Sequence, residues 1–233
     1  MLAAELLRDG LLDRVSVLVA HSLALEDAPV GLAPADALGA DATLTSGAAP
    51  ASAEPAPHSL SADVRDACTA LGARVSVCAT HASDEPALDA AVTSALTAAA
   101  SIDLLVVDGA GLFEQALARG HSSHAALRAC MDATWNVTRA VVNLAFLPDA
   151  RGGRIVYLTP APDAGAHADA ARAGLENLSR TLSIEWARHG VTLVTVACGA
   201  HSRGDEVAAL LAYLASPAGA YFSGCQLDLR GGV

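Results

Sequence analysis

Residues 14–34 read RVSVLVAHSLALEDAPVGLAP. The apolar run Val15–Ala20 has the length and continuity of a strand covered on both faces. A turn follows. An Ala-rich stretch with Pro29 near its start then has helical composition, since proline suits a first helical turn. Strand, turn and helix in that order open an α/β unit, whose turn is where glycine backbone usually cradles a phosphate. Here no glycine comes before Gly31, and Glu26 and Asp27 stand where phosphate would lie.

Working outward, the alternation continues to the end of the chain. Further candidate strands are Ala42–Thr45, Arg74–Ala79, Asp103–Val107, Arg154–Leu158, Thr192–Ala197 and Gln226–Leu229. Helical stretches fall near 61–72, 85–99, 121–146, 167–188 and 204–215. Several strands are near-continuous apolar runs, as burial between two helical layers requires. The pattern predicts an α/β protein: a Rossmann-like, doubly wound parallel sheet of about seven strands, flanked by helices on both faces. The whole chain, 1–233, reads as a single domain. Residues 46–60, SGAAPASAEPAPHSL, read as a Pro/Ala-rich surface loop within it.

Composition removes several function classes. A net charge of −11 argues against nucleic acid, whose binding rests on clustered Lys and Arg. No apolar run is long enough for a membrane helix, and MLAAELLRDG lacks the basic start of a signal peptide. The five cysteines show no CxxC or His/Cys metal spacing, so they read as buried thiols in a reducing compartment, with the cytoplasm as the expected location. All 14 basic residues are arginine, which excludes any lysine-dependent chemistry.

Four segments in order carry a family resemblance. These are IDLLVVDGAG (102–111), NVTRAVVNLAFLPDARGGRIVYLTP (136–160), ARAGLENLSRTLSIEWARHGVTLVTVACGA (171–200) and EVAALLAYLASPAGAYFSGCQLDLRGGV (206–233). Together they resemble the short-chain dehydrogenase/reductase family over roughly residues 12–233. The resemblance implies a Rossmann fold that binds NAD(P) and an Asn-Ser-Tyr-Lys catalytic set, usually in dimers or tetramers.

On that alignment the family's chemistry is vacant. Arg172 takes the lysine position, which puts Ala168 at the tyrosine, Pro160 at the serine and Cys130 at the asparagine. None of the three tyrosines has a basic residue four positions on. The interval from Pro160 to Ala168 is also shorter than the family's. On the cofactor side, Ser22, Glu26 and Ala28 fall on the three fingerprint glycines, and His81 falls on the adenine-side Asp. Side chains there crowd a pyrophosphate. A carboxylate adds like-charge repulsion of roughly 1–4 kcal/mol per contact at surface-like dielectric. Loss of NAD(P) binding is therefore expected, with no catalytic residues and no metal. His121 and His124 have helical metal-pair spacing without a third ligand, and His167 reads as an exposed residue before a helix.

Helices 121–146 and 167–188, which form the subunit-packing bundle in the family, keep their apolar periodicity, and the C-terminal LDLRGGV is intact. The resemblance thus implies an inactive subunit that assembles with an active paralogue as a hetero-oligomer. Acyl-CoA-type hydroxyl dehydrogenases of the family provide such pairings. The alternative is a cofactor-independent enzyme of halohydrin-dehalogenase type, using His167, Asp169, Arg172 or Cys130 in the old cleft.

Overall fold

The computed structural model describes residues 12, 13, 15–21, 60–80, 85–148, 150–199 and 202–230. In chain order these form β1 (Ser16–His21), α1 (Leu60–Ala70), β2 (Arg74–Ala79), α2 (Glu85–Ala99), β3 (Leu104–Asp108) and α3 (Gly109–Ala118). Then come α4 (Ser123–Val141), β4 (Gly153–Thr159), α5 (Ala168–Glu185), β5 (Val191–Ala197), α6 (Gly204–Ala215) and β6 (Cys225–Asp228). A π turn, Val142–Phe146, continues α4, and 3-10 turns follow α5 and α6.

The strands form one all-parallel sheet in the order β2-β1-β3-β4-β5-β6. Alternate side chains leave each strand toward opposite faces, so the core divides in two. Leu18, Ala20, Leu105, Val107, Ile155, Tyr157 and Leu193 pack beneath α2, α3, α4 and α5. Val17, Val19, Leu104, Val106, Val156, Val194 and Val196 pack beneath α1 and α6. The doubly wound sheet that the alternation predicts is present. Six strands stand among the described residues against the expected seven, and Ala42–Thr45 lies outside them. So does most of the 46–60 loop, whose last residue, Leu60, already begins α1.

Two helical boundaries depart from the sequence reading. The helix α3 was not expected, because Gly109 and Gly111 lie in its first turn and glycine is a poor helix former. It forms because Asp108 caps it, accepting from the Gly111 N–H at 2.8 Å. The predicted helix 121–146 keeps α-helical bonding only to Val141, beyond which the π turn carries Phe146 onto Gly153. A Cβ at Gly153 would stand 2.4 Å from the Phe146 ring, so glycine lets the ring pack against β4.

Candidate functional site

In a doubly wound sheet, ligands bind beyond the carboxyl ends of the strands. That edge carries Thr80, His21, Asp108, Thr159-Pro160, Cys198 and Asp228, in the order of the strands across the sheet. Ser22, Glu26, Asp27, Ala28 and His81 lie outside the described residues. The remaining predicted positions all lie at this edge or on the helices beside it.

Ala168 is the first residue of α5 and is fully buried. Its methyl group offers no proton to a substrate. Pro160, at the end of β4, is buried and has no hydroxyl. The hydroxyl of its neighbour Thr159 is committed to the sheet, donating to the Val196 carbonyl at 3.3 Å. Cys130, on α4, is buried, and its thiol donates to the Gly109 carbonyl at 3.3 Å. Burial, reinforced by the Asp108 charge, pushes that thiol up to about 12. Cys198 is pushed to about 12 for the same two reasons. The thiolate is the reactive form, so both groups are inert at neutral pH.

Arg172 projects from the first turns of α5, and its side chain is 18% exposed. One guanidinium nitrogen donates to Asp169 at 3.0 Å, while its Nε is buried with no partner among the described residues. Its charge also reaches Asp228, although the larger influence there is the Arg230 guanidinium, which holds that carboxyl well below the usual range. His167 is exposed and left-handed (φ +69°), closing the short connection from β4. His121 and His124 are exposed at the start of α4, and no cluster of three metal-ligating groups occurs among the described residues.

The tyrosines lie elsewhere. Tyr157 is buried in β4 and hydrogen-bonded to the Thr138 hydroxyl at 3.0 Å; burial pushes its phenol above the ordinary value. Tyr213 sits on α6 in edge contact with Phe222, and Tyr221 is on the 3-10 turn that follows. The position at the head of α5 that aligns with the family's tyrosine is Ala168.

The edge also holds a group that the sequence reading passed over as a site. Asp108 ends β3 and is buried. Its carboxyl takes the Gly111 N–H together with the hydroxyl and backbone N–H of Ser61, at the start of α1, and His21 adds an attractive charge. Burial outweighs these contacts and pushes the carboxyl above the usual carboxylate value. Glu114, on α3, is likewise pushed up, first by desolvation and then by the negative charges of Asp108 and Asp163. The signal in the sequence was an Asp closing an apolar run just before Gly-Ala-Gly, a helix N-cap pattern. Nothing in the sequence brings Ser61 or His21 to it.

A model of the short chain dehydrogenase family matches residues 39–203. Among solved structures, a citronellol catabolism dehydrogenase from Pseudomonas aeruginosa PAO1 superposes with a TM-score of 0.63 at 22% identity, covering 95% of each chain. A short chain dehydrogenase from Mycobacterium smegmatis gives 0.64 at 20%, over 96% of this chain and 95% of that one. A hydroxysteroid dehydrogenase from Escherichia coli gives 0.57 at 18%, over 72% and 80%. At these identities the likeness to the solved structures speaks to fold.

Proposed function

This chain belongs to the short-chain dehydrogenase family, and we propose that it is a non-catalytic member that neither binds NAD(P) nor transfers hydride. On this reading it supports an active short-chain dehydrogenase/reductase paralogue in a hetero-oligomer, with a hydroxyacyl- or oxoacyl-CoA-type compound as the partner's substrate. The observation that carries the proposal is the fully buried Ala168 at the head of α5. Aligned with the family's proton donor, it leaves the reaction without its acid. Pro160, Cys130 and Arg172 leave the other three roles without their groups. A fold supports many functions, and it is the site that decides among them.

Support for assembly comes from the outer surface of α4 and α5. The two helices approach closely, since a Cβ at Gly174 would stand 2.9 Å from the Met131 sulfur. Trp135 on α4 is 41% exposed and Ile184 on α5 is 77% exposed. Aromatic and aliphatic anchors of this kind favour burial against a partner. The nearby charges are already paired within each helix, Arg128 with Asp132 and Arg180 with Glu176.

Co-expression with short-chain dehydrogenase paralogues from the same genome, followed by native mass measurement, tests the assembly. A stable complex containing both chains is the expected result; a homo-oligomer indifferent to every paralogue refutes it. One observation favours the second reading, a cofactor-independent enzyme of halohydrin-dehalogenase type. The Arg172 Nε, buried and without a hydrogen-bond partner among the described residues, offers a donor to an anion. Thermal stabilisation by halohydrins or halide, but by no nicotinamide cofactor, would support that reading over the first.

A further inference from the structure

On one side the sheet ends at β2, which among the described residues is hydrogen-bonded to β1 alone. The register fixes which way its backbone points. The Arg74 N–H bonds the Val15 carbonyl and the Thr80 N–H bonds the His21 carbonyl. Successive residues of a strand turn their N–H groups to opposite sides, so Ser76 and Cys78 also face β1. The N–H groups of Val75, Val77 and Ala79 face outward, and no strand among the described residues pairs with them.

The same strand is also bare on one face. Val75 packs partly into the core beneath α1 and α6. Val77, two residues on and therefore on the same face, is 46% exposed. Cys78, on the opposite face, is buried. An apolar edge strand of six residues is a template for pairing, and folded chains cover such edges.

We propose that the chain covers this edge itself: residues 42–45, outside the described residues, pair with the outward side of β2 as a seventh, parallel strand. The chain has the length for it. His21 stands at the carboxyl end of β1, and the connection 22–41 exceeds the dozen or so residues that a parallel crossover needs. The return, 46–59, leads to Leu60, where α1 begins at the same end of the sheet. It has to cross about two strand spacings, roughly 10 Å, a small part of its extended reach. Handedness selects the face. The crossover from β1 to β2 carries α1, and a right-handed crossover to the next position outward runs on that same side. Val77 is bare on that side, and the Ala-rich stretch after Pro29 has the composition to cover it. No slot is left between β1 and β2, which bond each other along their whole length. The outermost strand therefore precedes its neighbour in the chain, the reverse of the usual doubly wound order. Thr43 and Thr45, both β-branched, suit the position. This inference is independent of whether the chain binds NAD(P) or a paralogue.

Amide hydrogen exchange and NOE measurements by NMR on the full chain, at two protein concentrations, test it. The outward amides of Val75, Val77 and Ala79 are expected to exchange within tenfold of Ser76 and Cys78, at rates independent of concentration. Cross-strand NOEs are expected between residues 42–45 and Val75–Ala79. Thr43→Pro with Leu44→Pro provides the variant, since adjacent residues point their N–H groups opposite ways and one of the two must lose a bond to β2. It is expected to speed the three outward amides at least tenfold and to leave Ser76 and Cys78 slow. Outward amides that exchange unprotected in the wild-type chain overturn the proposal. So does protection that rises with concentration, which puts a second copy on the edge, or protection that the double proline variant leaves unchanged. Should that variant fail to fold, the wild-type NOEs decide: contacts from 42–45 to β2 uphold the pairing, and their absence overturns it.

Discussion

Gly204→Ala probes the joint that holds the candidate site together. Gly204 opens α6 and is buried against α1. An ideal Cβ there would lie 2.3 Å from the Asp63 Cβ and 2.7 Å from its backbone carbonyl carbon. Neither atom is the far end of a flexible side chain, so the helices themselves must separate. Forcing one extra carbon into such a contact costs about 1–3 kcal/mol. At about 2–4 °C per kcal/mol for a chain of this length, the melting temperature should fall by roughly 2–12 °C. Differential scanning fluorimetry measures the shift, and urea unfolding with an unchanged slope assigns it to the native state. A Gly204→Ala chain that melts at or above wild type would refute the close α1–α6 approach. It would also call into question the placement of Ser61, which α1 delivers to Asp108.

Three other outcomes are expected. Burial pushes Cys68 and Cys130 up to about 12 and Cys78 to about 11. In the native chain, Ellman's reagent at pH 8 should therefore react promptly with at most the half-buried Cys225, and with all five thiols in denaturant. Burial raises Asp108, so the folded chain retains a proton that the unfolded chain releases. That stabilisation is fully present below the unfolded carboxyl value and fades as pH rises through the folded one; Asp108→Asn should flatten this part of the stability–pH curve. Finally, Trp135→Asp with Ile184→Asp should weaken assembly at least tenfold in sedimentation experiments, while the exposure of both residues leaves the melting temperature of the isolated chain little changed.

Much of the fold was legible because strands buried on both faces must be apolar throughout. VSVLVA, LLVV, RIVYL and TLVTVA could hardly be anything else. Strand boundaries came within a residue or two of those observed. The start of α3 was hidden because its first turn contains two glycines, and only the Asp108 cap, a side-chain contact, offsets their poor propensity. The break of α4 at Val141 left no mark in the apolar periodicity, since Val142 and Phe146 remain buried through the π turn. The vacant catalytic positions were legible because they depend on residue type. Alanine and proline lack the functional groups wherever they are placed. The Asp108 cluster was not legible, because it joins residues 21, 61, 108 and 111 through the parallel register of β1 with β3 and the docking of α1. The sequence reading put the self-supplied carboxylates at Glu26 and Asp27. Among the described residues, the carboxyl at the sheet edge that meets helix N-termini is Asp108.

Calorimetric titration of the wild-type chain with NAD+, NADH, NADP+ and NADPH tests the central claim most directly. The account predicts no saturable binding of any of the four at millimolar concentration. A one-to-one isotherm in the micromolar range for any of them would contradict it.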